Sequence, residues 1–164
     1  DPEREVPLGE SPVSPADGRV VEISTEMESR YLREESVKIG IFLSIFDTHI
    51  NRAPMAGRVE YMTYAPGRFI NALRKDSSRV NESNWIGLQN SKHRLLVRQI
   101  AGTIARRIRC DIAMLEELER GQKIGIICYG SGAELYIPKR FFKPTVKAGD
   151  RLKAGETLLG EWIT

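Results

Sequence analysis

The chain is a succession of short β-type runs cut at close intervals by turn formers, and this pattern limits its fold more than any other feature. The runs "RVVEI" (19–23), "VKIGIFLSI" (37–45), "RVEYMTY" (58–64), "RLLVRQIAGTI" (94–104), "KIGIICY" (123–129) and "AELYIP" (133–138) are bounded by Pro, Gly, Asn and Asp. Runs of this length, rich in Val, Ile, Tyr and Phe and punctuated in this way, predict strands. Helical periodicity is confined to "IAMLEELERG" (112–121) and "RFINALRKD" (68–76). The expected fold is therefore β-rich, mainly β with a few short helices, arranged as a sandwich or barrel.

A length of 164 residues suits a single domain with its own core. The 25 Lys+Arg against 22 Asp+Glu are interspersed and leave a net charge of +3, so charge alone selects no partner. Cys110 and Cys128 form no C-x-x-C, and His49 and His93 have no H-x-x-x-H spacing. The pattern predicts neither a zinc site nor a disulfide framework, and a reducing compartment. No apolar stretch approaches the roughly 20 residues that span a bilayer. The chain opens at Asp1 with the polar stretch "DPEREVPLGESPVSP", which reads as a linker that could follow an anchor upstream.

The passage "VKAGDRLKAGETLL" is similar to the turns of biotinyl- and lipoyl-type domains, which implies a barrel-sandwich, lipoyl-like β core. A carrier lysine flanked as in E-K-A, D-K-A or M-K-M is lacking, so a carrier function is not expected. The polar stretch 75–94, with Trp85 and His93, reads as the longest loop, and His93 as a surface residue of that loop.

Candidate chemistry lies at the ends of apolar runs, where a side chain can face a cleft. Asp17 in "SPADGRV", His49 in "FDTHINRAP" and Ser131 in "YGSGAEL" stand in such places. Asp17-Gly18 and Gly130-Ser131-Gly132 are equally good turn sequences. A carboxylate, an imidazole and a hydroxyl from separate segments can also form a nucleophile, its base and an orienting group, because such sets are defined by geometry and not by chain order. Arg52, Arg68 and Lys143 suit phosphate oxygens or plain solvent, and neither is assigned.

Taken together, "SPADGRV", "FDTHINRAPMAGRV", "YAPGRF", "QIAGTIARRI" and "RGQKIGIICYGSGAELYIP", in this order, resemble the phosphatidylserine decarboxylase family over 14–160, its short archaeal and bacterial members above all. The resemblance implies a carboxy-lyase that cleaves itself between Gly130 and Ser131. It would leave a large chain, 1–130, and a small chain, 131–164, whose first residue becomes a covalent pyruvoyl group derived from Ser131. His49 would be the base for Ser131 and Asp17 would orient it. The implied substrate is a phosphatidylserine-like or archaetidylserine-like lipid, met at the cytoplasmic face of a membrane by a homodimer of cleaved protomers, with no nucleic acid and no metal.

Two positions depart from the family pattern. Bacterial members often carry a second histidine in the H-x-x-H element, where this chain has His49 alone, so His49 serves both self-cleavage and decarboxylation or another group takes one role. Gly132 stands where Thr or Ser commonly follows the Gly-Ser pair. Alternatives of other classes are a noncatalytic barrel-sandwich binding module and a triad serine hydrolase.

Overall fold

A computed structural model of the chain describes residues 3–44, 47, 49–67, 81–102, 108–127 and 132–163. In chain order the strands are β1 (Gly18–Glu28), β2 (Glu34–Phe42), β3 (Ile50–Arg52), β4 (Gly57–Ala65), β5 (Ser83–Gln89), β6 (Arg94–Ile100) and β7 (Arg109–Cys110). There follow β8 (Glu117–Leu118), β9 (Lys123–Ile126), β10 (Gly132–Pro138), β11 (Phe142–Pro144), β12 (Arg151–Leu152) and β13 (Gly160–Trp162). An eight-stranded sheet runs in the order β12-β1-β2-β10-β6-β5-β4-β8, with smaller sheets β3-β9-β7 and β11-β13 beside it. The β-rich, barrel-like core expected from the sequence is the fold found.

Alternation along the central strands explains why the sheet buries both faces. Val37, Ile39 and Ile41 of β2, Leu95 and Val97 of β6, and Ala133, Leu135 and Ile137 of β10 point into the main core with Ile86 and Leu88 of β5. Burial of each Val, Leu or Ile among them is worth roughly 1.5–3 kcal/mol, which makes this layer the principal source of stability. The opposite parity holds Trp85, Leu96 and Tyr136, closed over by Leu32 from the β1–β2 hairpin. The Glu28 carboxylate accepts the backbone N–H groups of Arg30, Tyr31 and Leu32 and so folds that hairpin tip onto the sheet.

The same face buries charge. Glu134 Oε1 accepts from Arg98 Nη1 at 3.0 Å and from the Tyr136 hydroxyl at 2.7 Å, while Lys38 Nζ lies 3.4 Å from Oε2. Arg98 also lies over the Trp85 ring at 4.5 Å. Burial pulls the Lys38 ammonium down, but Glu134, Glu22 and Glu26 outweigh it and hold its pKa above the usual value. Burial, reinforced by Glu134, drives the Tyr136 phenol far up, so it stays a donor.

Four sequence expectations are corrected. The stretch 112–121 is no helix: Leu115 takes φ 69, its N–H donates to Val59 O at 2.8 Å, and Val59 N–H donates to Glu116 O at 2.9 Å. The edge of β4 captures this segment, and pairing overrides helix propensity. The 3-10 turn Lys139–Phe141 is the one helical element among the described residues, and 68–76 lies outside them. Within the predicted loop 75–94, "SNWIGLQ" is β5, a strand interior to the sheet. His93 is no free surface residue either, since its ring stacks on Trp162 at 3.8 Å between centroids and 4° between planes. Finally, the N-terminal stretch is no loose linker. Arg4 Nη2 donates to Asp17 Oδ2, Arg120 donates to Pro7 O and Ser11 O, and Val13 bridges Leu158.

Candidate active site at a common sheet edge

One continuous rung crosses six neighbouring strands at one end of the large sheet. Arg19 of β1 pairs with Phe42 of β2, Phe42 with Gly132 of β10, Gly132 with Ile100 of β6, Ile100 with Ser83 of β5, and Ser83 with Ala65 of β4. Every one of these strands starts or stops within a residue of this rung. The described chain therefore leaves the sheet along a single line, at Asp17, Leu43, Ala101, Glu82 and Pro66, and β10 begins on the same line at Gly132. Strand ends gathered in this way are where a rigid sheet can aim variable side chains.

Asp17 stands immediately before β1. Its Oδ1 accepts the Ala154 N–H at 2.7 Å and its Oδ2 accepts Arg4 Nη2 at 2.9 Å. An ionised carboxylate has further acceptor capacity beyond these bonds. Gly18 beside it has φ +144, and a Cβ there would lie 2.3 Å from Phe42 O, so the close approach of β1 to β2 at the rung requires glycine. Arg52 is buried close by, donating to Gly121 O at 2.9 Å. Burial, together with the Arg4 charge, lowers its pKa against the pull of Asp17 and Glu156.

His49 immediately precedes β3. The loop that delivers it from β2 is folded by Asp47, whose Oδ2 accepts the N–H and hydroxyl of Ser44 at 2.7 and 3.0 Å. The His49 carbonyl accepts the Ile127 N–H at 3.0 Å, directly beyond the β3–β9 pairing of Ile50 with Ile126. Thus His49 is tied by backbone to the last described residue before 128–131. Gly130 and Ser131 themselves lie outside the described residues. Gly132 is buried at the start of β10 and paired on both sides, to Phe42 and Ile100.

The fold brings the Asp17 segment and the start of β10 to one sheet edge, and the His49 segment to the strand that runs toward it. Sequence reading missed the polar residues under that edge, Asn51, Asn84 and Gln99, all buried. The signal was present in "RLLVRQI", where Gln99 shares the parity of Leu95 and Val97 and so must enter the core. Among the described residues there is no group of His, Cys, Asp and Glu that could hold a metal ion, and no helix long and apolar enough to cross a membrane.

Strand ends of a rigid β core gathered on one edge are a suitable place for an active site. Residues 1–160 match the family model described as phosphatidylserine decarboxylase. The chain is 44% identical over 161 residues to the phosphatidylserine decarboxylase proenzyme of Carboxydothermus hydrogenoformans, covering 98% of this chain and 76% of the relative. It is 43% identical over 162 residues to that of Symbiobacterium thermophilum, covering 98% of this chain and 75% of the relative. Identity to that of Desulfotalea psychrophila is 39% over 165 residues, covering 99% of this chain and 77% of the relative. The chain belongs to the phosphatidylserine decarboxylase family and is a carboxy-lyase.

Proposed function

We propose that the chain is a precursor that cleaves itself at Gly130–Ser131 and then removes the carboxylate of a phosphatidylserine-like lipid as carbon dioxide, leaving the ethanolamine lipid. The observation that carries this reading is Gly132 at the sheet edge, held by pairing on both sides, one residue after Ser131 and on the same rung as Arg19, with β2 between it and the strand that Asp17 precedes. The relatives' name, proenzyme, supports a processing step in the family.

Self-cleavage needs only groups of the chain and one water. The Ser131 hydroxyl attacks the Gly130 carbonyl carbon while His49 takes its proton, and collapse breaks the Gly130–Ser131 C–N bond to leave an ester and a free amine. A base then removes the Ser131 α-proton, the Gly130 carboxylate departs, and the remaining dehydroalanine hydrolyses to a pyruvoyl end with loss of ammonia. Glycine at 130 leaves the attacked carbonyl unobstructed. The assigned role of Asp17 is to favour the charged, oriented imidazole at His49.

The framework fits such an end group. The bond at 130–131 lies between β9, anchored through Ile127 to His49, and β10, buried along its whole length. Ile127, three residues before Gly130, and Gly132, one residue after Ser131, are each held by backbone bonds to neighbouring segments. A pyruvoyl group supplies an electron sink for the pair released as carbon dioxide leaves. The chain's part is to hold the amino and carboxyl groups of the serine headgroup at the sheet edge, with His49 returning the proton to the carbon that lost carbon dioxide.

The substrate tails make the reaction a surface one, since each methylene buried in the bilayer is worth about 0.8 kcal/mol. The protein accordingly acts at a membrane surface, and the cytoplasmic face and a homodimer of cleaved protomers are what the family resemblance implies. Denaturing intact mass tests the reading. Two fragments that break after residue 130, the smaller one shifted by hydroxylamine, are expected for the parent, and one intact, inactive chain for Ser131→Ala. An intact parent whose Ser131 reacts with an organophosphonate would point to a hydrolase, and an intact, unreactive parent to a binding module.

A further inference from the structure

Beneath the sheet edge, a chain of side-chain amides crosses the core and ends at a backbone carbonyl beside Asp17. Asn84 and Gln99 face each other across β5 and β6, and Asn84 Nδ2 donates to Gln99 Oε1 at 3.0 Å. Gln99 Nε2 donates to Asn51 Oδ1 at 2.9 Å, and Asn51 Nδ2 reaches Pro15 O at 3.4 Å. All donors point the same way, so Gln99 and Asn51 each accept on one side and donate on the other. Gln99 and Asn51 are 0% and 1% exposed.

The bond between Gln99 and Asn51 joins two different sheets, because β6 belongs to the eight-stranded sheet and β3 to the β3-β9-β7 sheet. It passes beside Gly125, the β9 partner of Asn51, where a Cβ would lie 2.8 Å from Gln99 Nε2. Glycine there keeps the passage open. Apolar packing between the sheets is non-directional and fixes their distance loosely, whereas a buried amide bond fixes distance and orientation together. A burial-seeking strand would place Leu or Val at 99, as at 95 and 97. An amide in that position costs desolvation, which only its partners offset.

Three members of this chain adjoin the segments that bear the proposed chemistry. Pro15 is two residues before Asp17, Asn51 is two residues after His49, and Gln99 adjoins Ile100, the β6 partner of Gly132. We propose that Gln99 is a positioning residue for self-cleavage: through Asn51 it sets the strand that follows His49 against the strand that holds Gly132, and so sets the reach of His49 to Ser131. This inference depends on the reading of Ser131 as the cleavage site with His49 as its base.

The test follows chain cleavage in freshly made precursor by intact mass against time. Gln99→Met keeps the volume and removes donor and acceptor, and cleavage is expected to slow by about tenfold or more, as for other small displacements of reacting groups. Val97→Ala opens a cavity on the same face of β6 without touching the amides, and should cleave within about twofold of the parent. Gln99→Glu is the conservative variant. Its neutral acid accepts from Asn84 and donates to Asn51, so its rate relative to the parent should climb as pH falls through the carboxyl titration. Gln99→Met should show no such recovery.

Melting of each variant in a Ser131→Ala background separates folding from cleavage, and if Gln99→Met does not melt cooperatively, the pH ratio of Gln99→Glu decides alone. The inference is overturned by a folded Gln99→Met that cleaves at the parental rate, by a Val97→Ala slowed as much, or by a Gln99→Glu whose ratio to the parent is flat with pH. A parent that never cleaves overturns the Ser131 reading and this inference with it. A cleaving parent beside an unaffected Gln99→Met overturns the inference alone.

Discussion

Gly18 holds β1 against β2 at the rung from which Asp17 projects, and both its backbone angle and its contact with Phe42 O exclude a side chain. A residue forced into such a conformation costs about 1–3 kcal/mol, and displacement of the Phe42 carbonyl adds to it. Gly18→Ala is therefore expected to lower unfolding stability by roughly 3 kcal/mol, read from the denaturant midpoint of a Ser131→Ala background so that cleavage does not intervene. A midpoint unchanged within error would mean that β1 can move away from Phe42. In the sequence, Asp17-Gly18 reads as a turn dipeptide or a catalytic element. Structurally it is first a strand start, because the sharp entry of the chain into the rung needs the glycine that turn chemistry also favours.

The β5–β6 hairpin is fastened at its tip to the C-terminal sheet. Asn90 Oδ1 accepts the N–H groups of Lys92 and His93 at 2.9 Å each, and the His93 ring then stacks on Trp162 of β13. Burial lowers the His93 pKa, with Glu10 opposing and Lys92 assisting. A folded-state pKa below the unfolded value of about 6.5 means that the unfolded chain binds the proton more readily. The contribution of His93 to stability is complete above that value and is lost as pH falls through it toward the folded pKa. The melting temperature should therefore drop between pH 7.5 and pH 5, and His93→Phe, which keeps a stacked ring without a titration, should flatten that part of the curve. An identical slope in the variant would assign the drop to other groups.

Across the whole molecule, the proposed small chain is not a tail but a structural part. Residues 131–164 supply β10, which sits between β2 and β6, as well as β11, β12 and β13, and β12 pairs with β1. Apolar burial on that scale outweighs the loss of one peptide bond. Native mass measurement of the processed protein should thus find the two fragments together, and denaturant should part them. Fragments that separate in native buffer would place the break elsewhere or give β10 a lesser role. The bridge of Val13 to Leu158 and the bond from the Ser14 N–H to Thr157 O bind the N-terminal stretch to the same small-chain region.

How much of this was legible in the amino-acid order follows from the range of the forces involved. Strand runs, their turn punctuation and the motifs around Asp17, His49 and Ser131 are local, written in side-chain alternation and in Gly and Pro, and they gave the β-rich class and the family. The buried parity of Gln99 was equally local. What the order could not tell is which strands neighbour one another: that "SNWIGLQ" would lie inside the sheet, that Leu115 would be captured by Val59, or that Gln99 would reach Asn51 past Gly125. Those facts depend on pairings between residues far apart in the chain, whose free energy exists only once the sheet has closed. The sequence by itself thus determined the β-rich class, the longer strand runs other than β5 and the candidate chemistry, and tertiary structure alone decided that the segments of Asp17 and Gly132 share one edge, with amides beneath that tie it to the strand behind His49.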